Sequence, residues 1–356
     1  MSDGVQTPAS PPVTRDRSVD VLKGIGIVIV AMGHIDYTAM GGAFVTYLYT
    51  FNVALFFIVA GYMWKPRPGV SVWRITARRF QQIYVPYVVL FTVSLLWGHI
   101  VVRRVFDQYV IPFELVPTLK ALVFSSEWLN TVPTFNFALW FLPIFFLTSV
   151  AFEFFQFLRG RAILYIAAVV VVLALSLPFQ WLVPGRPILN INVLPVGLVL
   201  MAAGYLIRKH LRIPPSPIPL VIVLWIVSLG VAIFIPGNIS DIRSYLYYPS
   251  AIASFLLYLG LARRIEGSAF LGYVGRNSLL LFGLQGLVAS TWPFTGIPAL
   301  LEPYWDGLML YAANLVYVLG VSVAVVAAYR ALRGVIVARF PRPRRADRGA
   351  SASLEG

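Results

Sequence analysis

Long apolar runs recur along the chain, each close to the twenty or so residues that a helix needs to cross a bilayer. Short polar or basic stretches separate them. We read ten such spans, at 19–38, 44–64, 80–101, 138–158, 162–182, 190–207, 217–236, 245–263, 272–292 and 307–335. The last is long enough to tilt or to project beyond the membrane. The fold class expected is therefore all-α integral membrane, with about ten transmembrane helices. No internal repeat of the kind that builds secondary transporters is visible.

The positions of the basic residues orient this pattern. With a cytoplasmic N-terminus, the inner loops hold Arg15 and Arg17, the cluster Lys65, Arg67, Arg74, Arg78 and Arg79, and the pair Arg159 and Arg161. They also hold Arg208, Lys209 and Arg212, then Arg263, Arg264 and Arg276, and the arginines from Arg330 to Arg348. The outer side receives only Arg103, Arg104, Lys120, Arg186 and Arg243. Both termini are thus expected in the cytoplasm. Residues 1–18 are expected to be a disordered cytoplasmic tail, 19–335 the membrane domain, and 336–356 a basic disordered tail. No small-residue cleavage site follows the first apolar run, so a cleaved signal peptide is not expected.

Composition narrows the classes further. Of 356 residues 59% are hydrophobic and 12% charged, against about 25% charged in soluble domains. The net charge of +14 lies in the alternate loops, which argues for membrane lipid as a partner and against nucleic acid. The absence of cysteine excludes disulfides and thiolate chemistry. His34, His99 and His210 are far apart and no metal-ligand spacing occurs, so no metal and no bound cofactor is expected. The Arg- and Pro-rich composition suggests a bacterium of high genomic GC, and hence the bacterial cytoplasmic membrane.

Ionisable groups inside an apolar span are costly, and tend to be functional or paired. Lys23 and His34 lie eleven residues apart in the first span. At about 100° per residue both fall on one helix face, separated by about 16 Å along the axis. His34 is placed in the outer half of the bilayer, where an imidazole can take a proton from a hydroxyl or carry an acyl group. It can equally make an interhelical hydrogen bond. Lys23 can pair with Asp20, snorkel to headgroups, or contact a phosphate from the cytoplasm. Asp36 follows His34 closely. Asn52 opens the second span and can approach His34 from the neighbouring helix, while Ala60 and Gly61 permit close helix packing.

Further polar residues complete the candidates. Arg74 and Arg78, four apart, share a helix face beside Arg79 and can grip phosphates or anchor the chain to anionic lipid. Glu153 lies in the cytoplasmic half of the fourth span, where it needs a basic partner that the sequence does not name. Trp140 sits at the outer start of that span, as a site residue or as part of an aromatic belt. Gln285 and Asn314 are intramembrane amides. The long outer segment 102–137 contains an amphipathic stretch, Phe113–Ser125, suited to an acceptor-site lid or to a connector lying along the interface.

Taken together, Asp20-x2-Lys23-x10-His34, Phe51-x4-Phe56-Phe57 ending in Ala60-Gly61-Tyr62, Arg78-Arg79 leading to Tyr84-Val85-Pro86-Tyr87, and Leu139-Trp140-Phe141-Leu142 resemble the integral-membrane acyltransferase-3 family. Lys23 followed by Gly24-Ile25-Gly26 is most similar to its fucose 4-O-acetylase-like branch. The resemblance implies transfer of an acyl group, usually acetyl, from cytoplasmic acyl-CoA to a hydroxyl of a carbohydrate or lipid-linked glycan. It further implies His34 as the catalytic histidine and Lys23 as its basic partner. Arg74, Arg78 and Arg79 fall where CoA phosphates are engaged. Asp20, Asp36, Asn52, Trp140, Glu153 and Gln285 are then acceptor-contacting or supporting candidates. Asn52 and Gln285 stand where the branch often has histidine; an amide can hydrogen-bond a sugar hydroxyl but cannot take up a proton. The alternative reading is a transporter or flippase for a sugar or hydrophobic substrate, using the buried Lys, His and Glu as a proton relay.

Overall fold

The computed structural model describes residues 16–35, 42–102, 114–125, 132, 134, 136–185, 187–211, 218–234, 237–303 and 306–339. Asp36, the two predicted tails apart from 16–18 and 336–339, and much of segment 102–137 lie outside them. The described residues are helical, with one isolated β-bridge between Asn238 and Asp241. In chain order the helices are α1 (Arg17–His34), α2 (Gly42–Phe51), α3 (Ala54–Tyr62), α4 (Val72–Arg79), α5 (Val85–Trp97), α6 (Leu115–Phe124), α7 (Phe141–Phe155) and α8 (Ala162–Leu182). They continue as α9 (Leu194–His210), α10 (Ile218–Phe234), α11 (Tyr247–Arg264), α12 (Ala269–Arg276), α13 (Ser278–Thr291), α14 (Ile297–Leu301) and α15 (Gly307–Arg339).

Six helical segments are long and apolar enough to cross a membrane: Phe44–Tyr62, Val72–Ile100, Ala138–Gly160, Ala162–Leu182, Ile188–His210 and Gly307–Val335. The other four predicted spans are also helical, as α1, α10, α11 and the pair α12–α13. Their charges or their length set them apart. α1 carries Arg17, Asp20 and Lys23, α11 ends in Arg263 and Arg264, and α10 has 17 residues.

Several predicted spans are not the uniform helices that their apolar runs suggest, and three of them bear on the site. The second breaks at Asn52, whose side-chain Oδ1 accepts the next amide, Val53 N–H, at 2.7 Å and so competes with the helical ladder. The ninth breaks at Asn277, where Asn277 Nδ2 donates to the Tyr273 carbonyl at 2.9 Å. The third is longer than expected, because α4 runs into α5 through a π-turn at Phe80–Tyr84. Pro86 has no amide hydrogen to continue the ordinary ladder, and Val85 N–H reaches back to the Phe80 carbonyl instead. That turn makes the basic segment at Arg74–Arg79 a continuation of the third span.

α1 sits at the centre, packed by α12, α11, α13 and α2. From Ser18 to Ile35 only Lys23, Val28, Met32 and His34 keep partial exposure. Small residues allow this depth. Gly275 of α12 lies on the Asp20 carbonyl, and a Cβ there would overlap it. A second close crossing joins α3 and α9, where Gly61 meets the Met201 backbone and Gly204 meets the Ile58 carbonyl. Such contacts hold membrane helices together where no hydrophobic driving force separates helix from lipid. α8 and α15 lie at the periphery with much of their surface exposed.

Candidate functional site

The last carbonyls of a helix have no partner within it. At the end of α1 other side chains supply them. Tyr311 donates to the Met32 carbonyl at 2.8 Å and Tyr49 to the Gly33 carbonyl at 2.7 Å. His34 Nδ1 lies 2.9 Å from the Val30 carbonyl. A carbonyl can only accept, so Nδ1 carries the proton and Nε2 keeps its lone pair. The imidazole is thereby held in one tautomer and one orientation by its own helix.

His34 opens into a cavity of about 550 Å³ shared with Tyr49, Asn52, Trp140, Trp181 and Asp241. Asn52 is 2% exposed, and its Nδ2 makes no hydrogen bond to any described residue. Part of the wall is residues 238–241 of the loop 237–243, held by two amide side chains. Gln180 Nε2 donates to the Ile239 carbonyl at 2.9 Å, and Gln180 Oε1 accepts from Ile242 N–H at 2.7 Å. Asn192 Nδ2 adds a bond to the Ser240 carbonyl at 3.0 Å. The wall is thus polar and hydrogen-bonded, with two indole rings beside it.

Lys23 opens into a second cavity, of about 350 Å³, with Trp64, Arg67, Arg79, Phe141 and Phe282 among its walls. Lys23 pairs with Asp20 at 3.0 Å. Glu153 finds the partner that the sequence left unnamed: Arg79 Nη2 donates to it at 3.2 Å and Trp64 Nε1 at 3.0 Å. Arg67, which is exposed, has no ion pair among the described residues. Arg159 lies over the Trp64 ring at 5.6 Å.

Lys23 and His34, which share a helix face, therefore serve two different cavities. Asp20, Asn52, Trp140, Glu153 and Arg79 are gathered around one or the other. Arg74 and Arg78 are exposed and line neither. Gln285 is buried in α13 and lines neither cavity, with neither amide atom bonded to a described residue. The described part of the outer segment, α6, is tied to α5 through Tyr87, whose hydroxyl lies 3.0 Å from the Leu122 carbonyl. It lines neither cavity.

The sequence did not single out Tyr49, Trp64, Arg67, Gln180, Trp181 or the loop 237–243 as site residues. Gln180 and Trp181, polar and aromatic at the end of an apolar run, offered a signal that an aromatic belt also explains. No curated protein and no solved structure matches the chain. The family model described as an acyltransferase domain matches residues 16–329, and the chain belongs to the acyltransferase-3 family, whose members are membrane acyltransferases.

Proposed function

We propose that this protein is a ten-span O-acyltransferase of the bacterial cytoplasmic membrane, with both termini inside. It moves an acyl group, in the first instance acetyl, from cytoplasmic acyl-CoA to a hydroxyl of a carbohydrate or lipid-linked glycan. The observation that carries this reading is the pair of neighbouring cavities into which α1 opens, one rich in cations at Lys23 and one polar and indole-walled at His34. The donor's phosphates lie against Lys23, Arg67 and Arg79, which suit them as cations with fixed donors. Arg74 and Arg78 contribute at longer range or bind lipid headgroups. The acyl-bearing arm extends along the axis towards His34, over the roughly 16 Å that separates the two side chains.

At His34 the bookkeeping of bonds is simple. The acceptor hydroxyl oxygen attacks the thioester carbonyl, the C–S bond breaks, and an ester and the CoA thiol result. Nε2 takes the hydroxyl proton and returns it to the departing thiolate. In the variant route Nε2 attacks the thioester carbonyl and expels the CoA thiolate; the acceptor oxygen then displaces the imidazole, and its proton goes to the thiolate. The bonded Nδ1 favours both, because it leaves Nε2 as the reactive nitrogen. Asn52 Nδ2, buried beside His34 and bonded to no described residue, suits the oxyanion that forms on the carbonyl. Trp140 and Trp181 offer apolar ring faces, and the loop 237–243 offers hydrogen-bonding groups, to a sugar.

The test uses purified protein in nanodiscs, radiolabelled acetyl-CoA and a glycan extract. Wild type should transfer label to the glycan, and His34→Gln should abolish transfer while remaining inserted and monodisperse. Transfer retained by His34→Gln would sink the assignment of His34. Donor-independent movement of a sugar across vesicles, with no acyl transfer, would favour the transporter.

A further inference from the structure

The two cavities share one residue. Phe282 of α13 lines both and is itself buried. Its ring centroid lies 4.9 Å from that of Phe141 and 6.0 Å from that of Phe56, and those two are 6.1 Å apart. The level at which the cavities meet is the same on each wall. Asn52 and Val53 face the His34 cavity while Phe56, one turn on, faces the Lys23 cavity. Likewise Trp140 lines the first and Phe141 the second. Three phenyl rings thus stand between the cavities as an apolar septum.

The backbone beneath Phe282 is held. Asn136 Nδ2 donates to the Gly283 carbonyl at 2.7 Å and to Ser94 Oγ at 3.0 Å. The space that a side chain at Gly283 would need is filled by Leu90. A path between the cavities therefore opens by rotation of the ring rather than by movement of α13.

We propose that Phe282 is the residue that selects the acyl group, an inference that rests on the acyltransferase reading. A two-carbon acetyl group passes the three rings with a small rotation of Phe282. A longer or branched chain must swing the ring further aside to pass into the His34 cavity ahead of the pantetheine arm, and is disfavoured. The closed septum also keeps water of the acceptor side away from the thioester, which limits hydrolysis of the donor.

The absence of cysteine from the chain gives a direct test. Val53→Cys places a single thiol in the His34 cavity, and Ser71→Cys in a separate sample reports the sidedness of the vesicles. A membrane-impermeant cationic methanethiosulfonate should modify Val53→Cys from the His34 side only. In Val53→Cys/Phe282→Leu, modification from the Lys23 side should appear with a rate at least tenfold higher. In parallel, the rate ratio of acetyl-CoA to octanoyl-CoA should fall at least fivefold in Phe282→Leu and rise in Phe282→Trp. Equal labelling from both sides with Phe282 intact would overturn the septum. Wild-type transfer with the same acyl preference in both Phe282 variants would overturn the selectivity and leave the acyltransferase reading standing. No acyl transfer by wild type would overturn that reading, and this inference with it.

Discussion

Neutralising Glu153 should loosen the fold and the Lys23 cavity together. Its carboxylate is buried and takes one bond from Arg79 at 3.2 Å and one from Trp64 at 3.0 Å. At an effective dielectric of about 20, opposite charges this close attract by about 5 kcal/mol. Desolvation of both groups offsets most of that gain, and the larger cost comes from removing one partner, which strands the other, at about 3–5 kcal/mol. The Arg79 side chain keeps 20% of its surface exposed, so the lower end applies. We expect a loss of about 3 kcal/mol for Glu153→Gln, which retains the bond from Trp64, and a similar loss for Arg79→Gln. The double variant should lose about 4 kcal/mol, leaving a coupling energy of about 2 kcal/mol. Reversible unfolding in mixed detergent micelles measures all three. In turnover, Glu153→Gln should raise KM for acetyl-CoA about tenfold with kcat within about twofold, because Arg79 loses its fixed position and not its charge. A coupling below about 0.5 kcal/mol, the size expected of independent sites, would refute the pair. An unchanged KM would separate Arg79 from the donor.

Two further outcomes test other contacts. Gly275→Val should lower the thermal midpoint in detergent and the yield of folded protein, since its side chain overlaps the Asp20 carbonyl and overpacking costs about 1–3 kcal/mol or more; Gly320→Ala, where a Cβ meets nothing within 4 Å, is the control and should leave the midpoint unchanged. Trp181→Ala should raise KM for the glycan about tenfold, the equivalent of about 1.4 kcal/mol of lost ring contact, with KM for the donor unaltered; steady-state kinetics with each substrate varied in turn decides it.

The sequence disclosed what depends on helical repetition. The apolar runs marked where helices form, and the eleven-residue spacing of Lys23 and His34 falls within one unbroken helix. The pairing of Lys23 with Asp20 follows from the same local geometry. Interruptions were less legible, because Asn52 and Asn277 lie in runs whose average is apolar, and the ladder breaks through one side-chain bond that hydropathy averaging dilutes. Contacts between distant segments were not legible at all. The partner of Glu153 is 74 residues away and Gln180 holds a loop about 60 residues further on. No spacing rule connects such pairs. The two-cavity arrangement arises the same way, from three helices meeting at Phe56, Phe141 and Phe282.

The clasp at Gln180 ties the wall of the His34 cavity to the surroundings of the molecule. α8 is among the most exposed helices, and its last turns carry both Gln180, which holds the loop 237–243, and Trp181, which walls the His34 cavity. A helix with one flank in lipid takes its tilt from the thickness of the hydrocarbon layer. A thinner or thicker bilayer therefore shifts that end of α8, and the clasp carries the shift to the loop opposite His34. The membrane is in this sense a part of the cavity wall, and the shape of the His34 cavity depends on lipid chain length as well as on sequence.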